Sequence, residues 1–195
     1  AAGNPMIKEK MDLDIQVARL KTLKTAYNNE HYRLEDAITQ GFPAEMRKTA
    51  QQLENAKADT ILLQQNTKRD ADGKDIFTIT LMDTVYTKRE DAGKALLDLL
   101  GMALNRTEPV SIGRYKGFDL QIAYFAMDKV YLAYLVGSGI NPVQLSANAV
   151  GNIMRLDNYL HNLPQSVTDL ESKLVQLQKQ LENAKEQLAL PFAQA

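Results

Sequence analysis

From Ile153 onward, apolar residues return in alternating steps of three and four: Ile153, Leu156, Leu160, Leu163, Val167, Leu170, Leu174, Leu177, Leu181, Ala184 and Leu188. That spacing is a heptad seam, one stripe along a helix that needs a partner. The positions between, among them Gln165, Asp169, Lys173, Glu182 and Lys185, are polar, as a solvated face requires. Pro164 lies inside the seam, so either a kink or a break and restart is predicted there, and Pro191 closes the last helix. The N-terminal segment repeats the pattern with Leu13, Val17, Leu20, Tyr27, Leu34 and Ile38, although Lys24 and His31 also fall on the stripe. A helix is predicted from about Met6 to Thr39, broken at Gln40-Gly41-Phe42-Pro43, where glycine suits a helix end and proline a new first turn. A second helix then runs to about Gln65, with Met46, Thr49, Leu53, Ala56, Thr60 and Leu63 on its stripe. None of these helices is apolar all round, so they are expected to pack on one another as an antiparallel coiled coil or slim bundle.

Between the helical ends the period changes. Phe77, Ile79 and Leu81 alternate with threonines, and Val85-Tyr86-Thr87 comes next as a hairpin partner. Lys88 to Leu104 returns to helix, with Ala92, Leu96, Leu99, Leu100 and Ala103 on one face. Three strands are predicted after it, over Val110–Tyr115, Phe118–Phe125 and Val130–Val136, with turns at Lys116-Gly117 and Met127-Asp128. The expected fold class is α+β: long antiparallel helices from both chain ends with a small antiparallel sheet and helix inserted between them. The chain divides into three regions: an N-terminal helical pair over 1–65, the inserted α+β head over 66–150, and a C-terminal coiled-coil helix over 151–195 that packs on the first region.

Composition narrows the chemistry. The 195 residues carry 23 Lys and Arg against 24 Asp and Glu, so neither a globally basic nucleic-acid binder nor an acidic tail is expected. The absence of cysteine excludes disulfides, thiolate metal sites and a thiol nucleophile, and two histidines, His31 and His161, leave little for metal clusters or triads. No metal, cofactor or catalytic residue is therefore expected. No apolar run approaches the roughly 18 residues of a membrane span, and no leader pattern opens the chain, so a soluble, cytoplasmic protein is the expectation. Gly137-Ser138-Gly139 follows a strand, but it lacks the rest of a phosphate-binding fingerprint and reads as a plain loop. The carboxylate pairs Asp12/Asp14, Glu35/Asp36 and Glu90/Asp91 lie among lysines and arginines and read as solvated charge.

Two groups remain. Lys88, Arg89, Lys94, Arg114 and Lys116 are candidate nucleic-acid contacts: the first two open a helix, and the last two flank a tight turn with Tyr115 between them for stacking. The same region nevertheless balances ten basic with ten acidic residues over 66–150, which favours ordinary solvated surface. Asn152, Arg155, Asp157 and Asn158 crowd where the head rejoins the helix, and read first as a capping and hydrogen-bond network locking that junction. A contact point for a partner domain or nucleic acid is the alternative.

Several landmarks resemble a known family. Ala2-Gly3-Asn4-Pro5-Met6-Ile7-Lys8-Glu9-Lys10-Met11-Asp12-Leu13-Asp14, then Arg19-Leu20-Lys21, is similar to the segment after the helicase core in large Swi/Snf-related DNA helicases of bacterial mobile elements and phages. These are often fused to an adenine DNA methyltransferase, and some resemble antirestriction proteins. The likeness continues through Tyr86-Thr87-Lys88 with Ala92-Gly93, Gly113-x-Tyr115-x-Gly117-Phe118, the stretch Gly151-Asn152-Ile153-x-Arg155-Leu156-Asp157-Asn158, Leu181-Glu182-Asn183-Ala184-Lys185, and Pro191-Phe192. The resemblance implies a C-terminal piece of a DNA-processing parent in a bacterial cytoplasm, whose partners are the parent's other domains. It brings no catalytic motif to these residues. The expectation is thus a non-catalytic accessory domain positioning its head towards DNA or a partner domain. Direct DNA binding by the basic residues of the head and a homo-oligomeric coiled-coil scaffold stand as alternatives.

Overall fold

The computed structural model describes residues 5–192; Ala2, Gly3 and Asn4 of the first landmark lie outside the described residues. The protein is α+β, with helices α1 (Pro5–Asp36), α2 (Phe42–Asn66), α3 (Arg89–Leu99), α4 (Ala149–His161) and α5 (Leu163–Ala189). Its strands are β1 (Ile79–Leu81), β2 (Thr84–Tyr86), β3 (Val110–Tyr115), β4 (Phe118–Phe125), β5 (Val130–Val136) and β6 (Ile140–Gln144). Two compact units form, one from residues up to Thr49 with those from Lys173 onward, the other from Ala50 to Ser172. None of the helices among the described residues is long and apolar enough to cross a membrane.

The predicted break at Gly41-Phe42-Pro43 is absent. Residues Ala37–Gly41 form a π-helical turn that joins α1 to α2, and the Phe42 N–H reaches back five residues to the Ala37 carbonyl. Gly41 keeps a negative φ and so does not end the helix. The physical reason lies in the two stripes. Leu34 and Ile38 belong to one heptad frame, whereas Met46, Thr49, Leu53 and Ala56 belong to that frame advanced by one residue. A π turn absorbs one extra residue without rotating the helix beyond it, and its wider ring relieves the clash Pro43 would have with a carbonyl four residues back.

In the first unit the helices run antiparallel. The Tyr27 hydroxyl donates to the Leu190 carbonyl at 3.0 Å and its ring lies 5.1 Å from that of Phe192, while Lys173 Nζ meets Glu45 Oε1 at 2.7 Å. As one partner's number rises the other's falls. Among the described residues, only Leu34, Thr49, Leu177 and Ala184 are buried in this unit, all on the predicted seams. Of the two polar interruptions, His31 is half-buried and Lys24 exposed.

In the second unit a six-stranded antiparallel sheet, in the order β2-β1-β3-β4-β5-β6, has α3 and α4 packed on one face. Ile79, Leu81, Ile112, Tyr115, Phe118, Leu120, Ile122 and Leu135 point into that core, together with Leu96 of α3. A bulge between Ser111 and Gly113 lets both Ile112 and Tyr115 face inward although they are three residues apart. Ile153, Leu156 and Leu160, read from the sequence as the start of the coiled-coil seam, are instead buried in this sheet core. Of a kink and a restart at Pro164 the structure shows the restart: α4 ends at His161 with Asn162 as its cap, and the proline occupies the first turn of α5. Strand β6 was not predicted, because Pro142 interrupts its pattern; on the sheet edge the missing N–H costs nothing. The β3–β4 connection uses Lys116 and Gly117, both at positive φ (46° and 87°), as a two-residue hairpin turn requires.

Candidate functional site

One polar cleft gathers residues from both candidate groups. It has a volume of about 770 Å³ and lies between the end of α2, the 67–77 loop, the start of α3, the β3–β4 turn and the α4–α5 junction. Asp157 is its pivot. The Tyr115 hydroxyl, delivered from β3 through the core, donates a hydrogen bond to Asp157 Oδ1. Arg89 Nε and Nη2 both approach Asp157 Oδ2 at 3.0 Å. The Arg89 guanidinium stacks over the Phe77 ring at 4.7 Å, and Phe77 in turn lies 6.0 Å from Tyr115. On the opposite wall Asp75 takes Lys116 Nζ at 3.4 Å and Arg69 Nε at 3.3 Å, with Lys116 also 5.6 Å above the Tyr115 ring. Burial, reinforced by the hydrogen bond to Asp157 and its charge, pushes the Tyr115 hydroxyl far above the usual tyrosine range.

The cleft thus holds Arg69, Arg89 and Lys116 against Asp75 and Asp157, an excess of one positive charge, with Asn158 and the exposed His161 on its rim. Among the described residues donors remain unspent: Arg69 commits Nε alone, and Arg89 keeps Nη1. Such a surface can take up an anionic group. Asp157 is engaged on both oxygens, and Tyr115 is held in its neutral form.

The five basic candidates do not form one patch. Arg89 and Lys116 enter the cleft, and Lys88, in extended conformation before α3, is exposed beside it in sequence. Lys94 is exposed on α3. Arg114 stands on the uncovered sheet face, opposite Thr80 and Asp119, because its neighbour Tyr115 points into the core. The junction residues also divide. Asn152 is fully buried and closes on Ser146, accepting from its N–H at 2.8 Å and donating to its carbonyl at 2.8 Å. Arg155 Nη1 donates to the Gln144 carbonyl at 2.9 Å. Asp157 and Asn158 line the cleft.

Asp59 of α2 carries no mark of function in the sequence. This buried carboxylate accepts the backbone N–H groups of Ser138 at 2.6 Å and Gly139 at 3.1 Å, and Asn141 Nδ2 at 2.9 Å. Tyr159 completes the cluster by donating to Asn141 Oδ1 at 3.0 Å. The Gly137-Ser138-Gly139 loop therefore does cradle an anion, one supplied by its own chain. The only sequence signal was an acid three residues after Ala56, at the margin of an apolar stripe. Among the described residues no group of three His, Cys, Asp or Glu could hold a metal ion. No family model, no curated protein and no solved structure matches the chain.

Proposed function

We propose that this chain is a non-catalytic interaction module of a larger DNA-processing protein, and that its α+β unit engages a nucleic-acid phosphate through the cleft around Asp157. The observation that carries the reading is the cleft's three cations against two carboxylates, with guanidinium donors of Arg69 and Arg89 still unspent. A planar guanidinium is well suited to a phosphate oxygen pair. The resemblance to helicase-methylase proteins of mobile elements supplies the DNA context, and the parent's other domains are the natural neighbours. What supports the non-catalytic part of this reading is a composition without thiols and with two histidines, and a best-placed carboxylate spent on Arg89 and Tyr115.

Fluorescence anisotropy with labelled single- and double-stranded DNA tests this reading, first at low and then at physiological salt. Binding should fall by about 0.9 log units per phosphate contact for each log unit of salt on duplex DNA, and with one to three contacts the slope is shallow. Arg69→Glu, a change at an exposed side chain, should weaken binding roughly tenfold. Arg114→Glu, on the other face of the sheet, should leave it unchanged. No binding at low salt, or equal losses in both variants, overturns the proposal. A second reading, a homo-oligomeric scaffold, is favoured by the exposed apolar residues in the first half of α1.

A further inference from the structure

Within the first unit, the seam of α1 outlasts its partner. The covered stretch runs back through Leu34 and His31 to Tyr27, which meets Leu190 and Phe192 beyond α5. The same heptad frame continues towards the N-terminus through Lys24, Leu20, Val17, Leu13 and Lys10. Here Leu20, Val17 and Leu13 are 43 %, 47 % and 54 % exposed, with no helix of the described residues against them. Leu23 and Ile15 beside them are equally open. A stripe that is an interface along one half of a helix and bare along the other is an unfinished coiled-coil surface.

We infer that the first half of α1 pairs with the same segment of a second copy of this chain, in antiparallel, two-fold fashion. Charge decides the occupant and its direction. A parallel copy would set Lys10 and Lys24, both on the seam, against themselves and Glu9 against Asp14. An antiparallel copy centred between Ala18 and Arg19 sets Val17 against Leu20 of the second copy, and reciprocally. It lays Leu13 along the stem of Lys24 and brings Asp14 beside Lys21, twice by symmetry. Neither Asp14 nor Lys21 forms an ion pair among the described residues of its own chain. The helix dipoles also run opposite ways in this arrangement, so unlike ends meet. The pairing is independent of the cleft and of its ligand.

Sedimentation equilibrium of the whole chain, from about 1 μM to about 500 μM, reads the monomer–dimer balance by mass action. A reversible dimer is expected. Asp14→Lys alone, or Lys21→Asp alone, should weaken it roughly tenfold by turning two attractive contacts repulsive, and the double reversal should restore it. Leu20→Asp, at an exposed position that leaves the fold intact by circular dichroism, should abolish it. Because the chain holds no cysteine, direction is read directly: Val17→Cys mixed with Leu20→Cys should oxidise to the mixed disulfide. A monomer at every concentration, which is also the result if some other segment covers the stripe, overturns the inference. So do a dimer indifferent to Leu20→Asp, failure of the double reversal to rescue, and preferential Val17→Cys self-disulfide.

Discussion

Asp59, 1 % exposed, commits both carboxylate oxygens to the loop joining β5 to β6. Asp59→Ala would strand three donors at once, the N–H groups of Ser138 and Gly139 and the Asn141 amide. Losing one side of a buried charged network costs about 3–5 kcal/mol, so the urea midpoint of the sheet unit should fall sharply. Asp59→Asn, which keeps an acceptor, should cost less. If the alanine variant unfolds at the wild-type midpoint, the carboxylate does not tie α2 to the hairpin. Tyr115 gives a prediction with a definite pH window. Burial and then Asp157 raise its hydroxyl pKa in the folded protein, and burial raises that of Tyr159. Below the unfolded value of about 10 both states hold the proton and nothing is lost. Above it the unfolded chain releases the Tyr115 proton while the folded one keeps it, so stability declines by up to about 1.4 kcal/mol per pH unit, and Tyr159 acts in the same direction. Urea titrations between pH 8 and pH 11 should show this decline, and Tyr115→Phe should reduce its slope while lowering the plateau through the lost bond to Asp157.

At the scale of elements, the π turn makes a contrast that can be tested. Deleting Gln40 together with Pro43→Ala brings both stripes into one heptad frame and lets the turn become an ordinary α-helix, so helicity and melting temperature should hold within a few degrees. Deleting Gln51 instead turns Leu53, Ala56, Asp59 and Leu63 by about 100° off their packing face, and should unfold the sheet unit. Equal damage from the two deletions would mean the π turn does not compensate a frame shift. This turn also explains how far sequence reading can reach. β3, β4 and β5 were legible to the residue because β-prone, largely apolar stretches are bounded there by two tight turns. The α1–α2 connection was not, since glycine followed by proline looks the same whether a helix ends or widens. Close packing was equally invisible: a Cβ on Gly93 of α3 would lie 2.4 Å from the Ala149 carbonyl oxygen at the start of α4. The cleft was legible only in pieces. Arg89, Lys116 and Asp157 each stand out in the sequence, yet Arg89 and Tyr115 meet Asp157 across 68 and 42 residues of chain. Asp75, which holds Lys116 across 41 residues, does not stand out at all. Local pattern carries no information about such distances; the fold brings them together.

At the scale of the whole molecule the two units are unequally stocked with buried surface. The second has a continuous core of sheet and helix residues, whereas the first buries only Leu34, Thr49, Leu177 and Ala184 among the described residues. Apolar burial contributes about 25 cal/mol per Å², so the helical unit has far less to set against the chain entropy it must overcome. Heating should therefore give two calorimetric transitions. The lower one should remove helical signal at 222 nm while near-ultraviolet tyrosine signal from Tyr115 and the sheet survives, and the upper one should remove the rest. Hydrogen exchange should keep the same order, with amides of α1 opening before those of β3 to β5. Self-pairing through α1 adds a sharper condition, since a partner that binds only folded α1 stabilises by mass action. The lower transition should then move up with protein concentration while the upper one stays fixed, and Leu20→Asp should cancel that movement. A single transition, or two that respond alike to concentration, would mean the helical unit has no separate stability for a second copy to reinforce.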